Sequence, residues 1–314
     1  MRGLLRLQTV TSALALMKNK PNRIANTSIG SMVKTFVLRL FLLTFLIGPS
    51  AACAHEFWLM PQSFSVASQQ DFLLELRVGA GWPGESLGRN PAYIERFGLI
   101  DAAGERPVGG QAGGDPAGVV TAKKPGAAWA VFRSKHSALT LDAAKFESYL
   151  RDEGLESIID ARRLSGTSDA PGREMYSRCA KSLLQVGQAT ATPSAVLKRN
   201  TGLTLELIPQ TDPQQLRGGG AFTLQLLYLN KPLRGALVKA LPQSLVNATA
   251  TAQITARTDA QGRVSLPLSQ GGVWLINAVH MVKAPANFDA DWESVWSSLT
   301  LQLPPAAAKT TGLL

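Results

Sequence analysis

Three histidines, His55, His136 and His280, make up the imidazole inventory of this 314-residue chain, and the position of the first carries the most specific chemistry in the sequence. His55 follows Ala52-Cys53-Ala54, a small-residue box of the kind that ends a secretory signal peptide. Cleavage after Ala54 would make His55 the first mature residue. A terminal histidine offers a cation two nitrogens from one residue, the α-amine with a pKa of about 7.7–8.0 and the ring Nδ1. One further imidazole would complete a three-nitrogen set that suits Cu(II), and nitrogen donors also suit Ni(II) and Zn(II). His280, which ends an apolar run, is the expected partner, with Met281 and Cys179 as possible additional soft donors. The structural alternative is that His280 and Met281 pack at a strand end and Cys179 is a small buried apolar residue. His136, between Lys135 and Ser137, reads as a solvated loop residue.

Other chemical constellations are weaker. Asp289, Asp291 and Glu293 alternate as calcium-loop ligands do, but lack the glycine at loop position six and the later bidentate glutamate. Capping of a short helical turn at 291–293 explains them. Trp58, Trp274, Trp292 and Trp296 fit core plugs of a β-sandwich better than a sugar-stacking surface. The run Gly109-Gly110-Gln111-Ala112-Gly113-Gly114 lacks the Lys-Ser/Thr pair and following helix of a phosphate loop, so it reads as a turn or connector. No nucleophile elbow, H-E-x-x-H, C-x-x-C or dinucleotide fingerprint stands where it could work.

The elements that must position these residues begin after the leader. Lys34 and Arg39 and the apolar run 40–47 supply the charged and apolar regions of a signal peptide, and the run is too short to span a bilayer. A start at Met32 gives a signal peptide of ordinary length. A start at Met1 leaves a long preamble, and an uncleaved anchor is the alternative. Acylation of Cys53 would instead give a lipoprotein anchored by its lipid. The formal charge of +10 contains seven cations ahead of position 54, and the remaining 25 basic against 22 acidic residues leave +3, which removes the main support for nucleic-acid binding. Cleavage after Ala54 leaves Cys179 alone, so no internal disulfide is possible.

From residue 55 onward, short alternating runs punctuated by Gly and Pro predict a mainly β protein of two β-sandwiches, immunoglobulin-like or transthyretin-like. Strands are expected at 56–60, 72–78, 94–100, 128–132 and 138–141. The stretch 142–153 breaks the pattern. Phe146, Tyr149 and Leu150 fall at i, i+3 and i+4 with Gly154 at the C-terminal cap, so a helix is expected, followed by a second over 155–163. The period leaves 176–186 open between strand and short helix. The second half offers seven strands, at 203–208, 222–229, 235–240, 252–258, 263–268, 273–279 and 298–303, with a turn at 259–262. The expected organisation is a leader and signal peptide over 1–54, a first sandwich over 55–187 with a helical insertion at 142–163, a linker over 188–201, a second sandwich over 202–304 and a tail over 305–314.

His55-Glu56-Phe57-Trp58-Leu59-Met60-Pro61 directly after a signal peptide, the run 176–183, the turn 258–263, and the run 272–281 with Trp292-Glu293-Ser294-Val295-Trp296 together resemble a bacterial periplasmic domain-of-unknown-function family. Its members are often labelled as a periplasmic component of nickel or cobalt transport. The second half separately resembles carboxypeptidase-regulatory-like or transthyretin-like modules, commonly non-catalytic. The resemblance implies an exported periplasmic protein with a nickel or cobalt connection, whereas the residues alone favour copper slightly. The leading expectation is binding of a divalent transition metal in metal uptake or handling, with no organic cofactor and no nucleic acid. A non-catalytic envelope module that docks on a membrane transporter or receptor is the alternative, and a copper-dependent oxidase built on the N-terminal histidine is the third.

Overall fold

In the computed structural model, residues 56–188, 194–243 and 253–306 are described. The cleavage box, His55, part of the expected linker and most of the tail lie outside them. In chain order the first strands are β1 (Glu56–Pro61), β2 (Ser65–Val66), β3 (Asp71–Gly79), β4 (Glu85–Leu87), β5 (Ile94–Asp101), β6 (Gly104–Pro107), β7 (Gly118–Thr121), β8 (Gly126–Ser134) and β9 (Ser137–Leu141). Helices α1 (Ala143–Asp152) and α2 (Glu156–Leu164) follow. The chain then runs through β10 (Gly172–Val186), β11 (Leu205–Pro209), β12 (Gly220–Tyr228), β13 (Lys231–Pro232), β14 (Leu237–Pro242), β15 (Ile254–Arg257), β16 (Arg263–Leu268), β17 (Gly272–Lys283) and β18 (Trp292–Leu303). The fold is mainly β, and the strands build three sheets that stack as sandwiches.

A ten-stranded sheet forms the middle layer, in the order β15-β14-β17-β18-β10-β8-β5-β6, with β2 and β9 also paired to β10. Side chains alternate across a strand, so each central strand serves two cores. On one face, Trp274, Ile276 and Ala278 of β17, Val295, Leu299 and Leu301 of β18 and Cys179 of β10 pack against the sheet β11-β12-β13 with β16. On the other face, Ala180, Leu184, Ala128, Ala130 and Phe132 pack against the sheet β1-β3-β4 with β7. The helices cover the rest of that second face. Phe146, Tyr149 and Leu150 of α1 meet Val279, Met281 and Trp296 there, which is the apolar stripe read from the sequence.

The expected boundary between two sandwiches falls inside shared structure. β10, from the first half, pairs in parallel with β18, from the second, over Glu174↔Trp292 to Ser182↔Thr300. Residues 52–314 form one compact unit. Within the expected linker, Val196 and Leu197 are buried in the core, and Trp129 Nε1 donates to the Val196 carbonyl at 2.8 Å. Lys181 lies over the Trp129 ring, 4.2 Å from its centroid, and donates to Glu206 at 2.8 Å. The Glu206 carboxylate also accepts from the backbone N–H groups of Thr201, Gly202 and Leu203 and from the Thr201 hydroxyl, so this buried ion pair pins the chain between the halves.

Two local expectations change. The short helical turn expected at 291–293 is strand, because Trp292 opens β18 and is paired on both sides, with Lys283 of β17 and Glu174 of β10. Two backbone ladders outweigh the local preference of an acidic cluster for a helix start. The open segment 176–186 is strand throughout, as part of the fifteen-residue β10. The turn at 259–262 forms as read. Gly262 takes φ +70°, and the Asp259 side chain accepts from the N–H groups of Gln261 and Arg263.

Candidate functional site

A buried polar seam runs over the second face of the central sheet, where β1 crosses β18 and β10. β1 begins at Glu56, whose backbone is fixed in an antiparallel ladder with β3, Glu56 opposite Gly79 and Pro61 opposite Leu74. Phe57 and Leu59 point into the apolar core, so Glu56 and Trp58 point the other way. Glu56 there meets Lys239 of β14 and Asn277 of β17. Glu153, the residue that ends α1, completes the group. All four are buried, Asn277 at 1% exposure.

The charges in this seam are unequally served. Lys239 Nζ grips both oxygens of Glu153, at 2.7 and 2.6 Å, and lies 3.7 Å from Glu56. Burial pushes the Glu56 carboxyl up from 4.5 to about 7, and repulsion from Glu153 adds to it, while Lys239 and the Asn277 amide, close by though outside hydrogen-bond geometry, pull the other way. Burial also raises Glu153, against the opposing pull of Lys239. Once both carboxylates ionise, one lysine stands against two anions in a space shielded from water. A further cation, or a set of N–H donors, would be drawn to Glu56. Next to it, both side-chain atoms of Asn277 and the hydroxyls of Ser298 and Ser182 are buried with no hydrogen-bond partner. Lys239, Asn277 and Ser298 are successive register partners, which makes the polar run continuous across β14, β17 and β18. Thr300 differs, since its hydroxyl donates to the Leu59 carbonyl at 2.7 Å and ties β1 to β18.

The residues singled out from the sequence do not converge here. His280 is paired with Val295 and faces the opposite side of the sheet, its ring edge-on to Tyr228 at 4.4 Å. Burial lowers its pKa, so the imidazole is neutral at pH 7. Met281 alternates onto the helix-covered face with Val279 and is 3% exposed, on the far side of the sheet from the His280 ring. Cys179 shares the His280 face but lies opposite Ser297, in line with Ala278. Strand spacing and residue rise then put Cys179 and His280 roughly 12 Å apart, too far to share an ion. Burial raises the Cys179 thiol, consistent with a core residue. His55 lies outside the described residues; its neighbour Glu56 and the His280 ring occupy opposite faces of the central sheet. Among the described residues no group of three or more His, Cys, Asp or Glu side chains is arranged to hold a metal.

The remaining motifs resolve into ordinary contacts. Asp289 and Asp291 hold Arg173 at 3.0 and 2.9 Å, and Glu293 bonds the His136 ring at 2.9 Å, so each member of the acidic trio already has a side-chain partner. His136, with a side chain 37% exposed, also stacks on Phe288. Trp58 and Trp274 are fully buried, and Trp296 stacks on Tyr149. Sequence reasoning missed Lys239 and Asn277 because their strands were read as having one buried face and one wet face. A signal was present in β17, whose run Gly272–Lys283 is apolar at most consecutive positions, the pattern of a strand covered on both sides. In such a strand a central asparagine is a buried polar group.

Among the described residues no helix is long and apolar enough to cross a membrane. The family described as a domain of unknown function, DUF4198, matches residues 52–282. No curated protein matches the chain significantly. Among solved structures, the D0-D1 domain of intimin is similar at 10% identity, with 80% of this chain and 100% of that one covered and a TM-score of 0.20, which is too slight a likeness to argue from.

Proposed function

The chain belongs to the DUF4198 family of domains of unknown function, and from that premise we propose that it is an exported periplasmic protein that binds a divalent transition metal, nickel, cobalt or copper, where its processed N-terminus meets Glu56. The observation that carries this reading is the state of the Glu56 carboxyl. It is buried, repelled by Glu153 and left to share one cation, Lys239 at 3.7 Å, with Glu153, which holds that lysine more closely. Signal-peptide cleavage after Ala54 would put an α-amine and an imidazole one residue away. The fit is one of donor chemistry. Two nitrogens from His55 and an oxygen from Glu56 make a mixed set of the kind late first-row divalent ions accept. The orphaned Asn277 amide would supply an outer hydrogen bond of the sort that orients a ligating carboxylate. The ion is assigned to this face rather than to His280, which looks away from Glu56.

The experiment is metal uptake by exported protein with its native N-terminus, challenged with nickel, cobalt and copper. Inserting one alanine before His55 keeps the imidazole and displaces the amine, and should weaken binding by at least about tenfold, as should Glu56→Gln. His280→Ala should leave affinity unchanged, and a loss there would move the ion to the Tyr228 face. Affinity indifferent to the insertion and to Glu56→Gln would sink the metal reading and leave a non-catalytic module that docks on a transporter or receptor.

A further inference from the structure

A second site, independent of the metal reading, is built around Arg178. This residue lies on β10 two positions before the apolar core begins at Ala180, at the junction of β1, β10 and the loop that joins β8 to β9. Its backbone N–H is held by the Ser134 hydroxyl at 2.9 Å. Its guanidinium lies between two aromatic rings, with Cζ 5.2 Å from the centroid of Phe57 and 5.2 Å from that of Tyr176. Both rings are themselves fixed. Phe57 is buried and packs on Phe132 at 5.1 Å, and Tyr176 sits opposite Ser137 in the β9–β10 ladder.

The arginines on comparable strands have protein acceptors. Arg77 bonds Glu75, Arg96 bonds Glu105 and the Thr201 carbonyl, and Arg106 bonds Asp101. Arg178 differs, because its side chain makes no hydrogen bond and no ion pair with any described residue, and its nitrogens are not sealed from solvent. A guanidinium held against two rings offers an acceptor its in-plane edge, and that edge matches the two oxygens of a carboxylate or phosphate. Beside it stands a row of hydroxyls. The Tyr176 and Tyr93 oxygens lie 3.3 Å apart, and the Ser137 hydroxyl donates to Tyr93. Holding an arginine flat between rings removes the side-chain freedom that binding would otherwise cost.

We infer that Arg178, clamped between Phe57 and Tyr176 and flanked by the Tyr176–Tyr93–Ser137 hydroxyls, is a binding site for a small oxyanion, a carboxylate or phosphate, taken by the guanidinium edge and a tyrosine hydroxyl. The test uses inorganic phosphate and malonate, titrated in parallel at constant ionic strength into ¹⁵N-labelled protein, with the arginine Nε–H signals and, in every variant, the backbone N–H signals of residues 137 and 176 as readout. The signal that disappears in Arg178→Lys identifies the residue. In the wild-type chain it should shift saturably with phosphate or malonate, and whichever ion binds tighter names the class. Arg178→Lys keeps the charge but lacks the planar fork, and should weaken binding roughly tenfold, the loss of one charge-assisted hydrogen bond. Tyr176→Phe should weaken it roughly tenfold or more, the loss of one hydrogen bond to an ionised acceptor. The exposed Arg217 provides the internal control. An Arg178 signal that responds to neither ion beyond the Arg217 signal overturns the inference, and so does unchanged affinity in Arg178→Lys.

Discussion

Replacing Glu56 by Gln separates the buried charge from the fold around it. In the folded chain this carboxyl titrates near about 7 against an ordinary 4.5. The folded state therefore holds the proton more tightly than the unfolded chain does. The resulting contribution to stability is fully present below 4.5, is lost as pH rises from 4.5 through about 7, and stays lost above that. The displacement corresponds to about 3 kcal/mol. Urea unfolding of chelator-treated protein with an extension ahead of His55, followed by tryptophan fluorescence from pH 4.5 to 8.5, measures it. Glu153 and Glu174, whose pKa values burial raises, and His280, whose pKa burial lowers, also titrate with linkage. Glu174 and His280 are common to both proteins and drop out of the difference, whereas Glu153 repels Glu56 and shares Lys239 with it, so the rise belongs to the two carboxyls together. The stability of Glu56→Gln minus that of the wild type should rise by about 3 kcal/mol across the window and then level off. In processed protein, a metal bound beside Glu56 favours the ionised form and should shrink that rise. A difference that is flat with pH would refute the reasoning, since it would mean that Lys239 keeps Glu56 ionised throughout.

Four further outcomes are expected. Glu206→Gln leaves the Lys181 ammonium buried against Trp129 without its counter-ion and should cost about 3–5 kcal/mol in a urea melt; a cost under about 1 kcal/mol would mean that Lys181 is already neutral, the direction in which its burial drives it. Phe146→Ala should cost about 3–5 kcal/mol, because the ring is fully buried under α1. Gly172→Ala would put its Cβ 2.2 Å from Phe146 Cγ and should also destabilise, while the double variant should cost less than the sum of the two, since the new methyl occupies space the ring vacates. Mass spectrometry of exported protein should find His55 as the first residue; a lipid-modified Cys53 would favour the anchored form.

Periodicity made the local elements legible and left their partners hidden. The helix carrying Phe146, Tyr149 and Leu150 could be read because one stripe meets one core, and Gly154 between the helices takes φ +67° as a C-terminal glycine should. The turn at Asp259 could be read because side chain and backbone close it within four residues. The union of the two halves could not, because the pairing of β10 with β18 joins residues about a hundred positions apart and no alternation pattern names a strand's neighbour. The same gap concealed the candidate site. Lys239 stands between Val238 and Ala240, a pattern that reads as one wet residue between two buried ones, and whether its face is wet depends on β1 and α1 lying over it.

That covering bears on the proposed metal reading, in which the polar seam serves a ligand rather than the stability of the sheet. Asn277, Ser298 and Ser182 each hold buried polar atoms without a protein partner, and each such group costs about 1–3 kcal/mol relative to a satisfied one. Apolar residues of similar size would fit positions flanked by Ala180, Val279 and Leu275, and the sheet would gain by them. The structural ion pair at Lys181 and Glu206 shows the contrasting case, where every oxygen of the carboxylate is met by donors and the result locks the chain. In the proposed reading, a polar run that ends at an under-served carboxylate, one residue from the expected mature N-terminus, meets the bound ion instead. Asn277→Leu accordingly separates the two roles: it should leave the fold as stable or more so in a urea melt while weakening whatever ion Glu56 holds, and a large loss of stability would show that the asparagine serves the sheet itself.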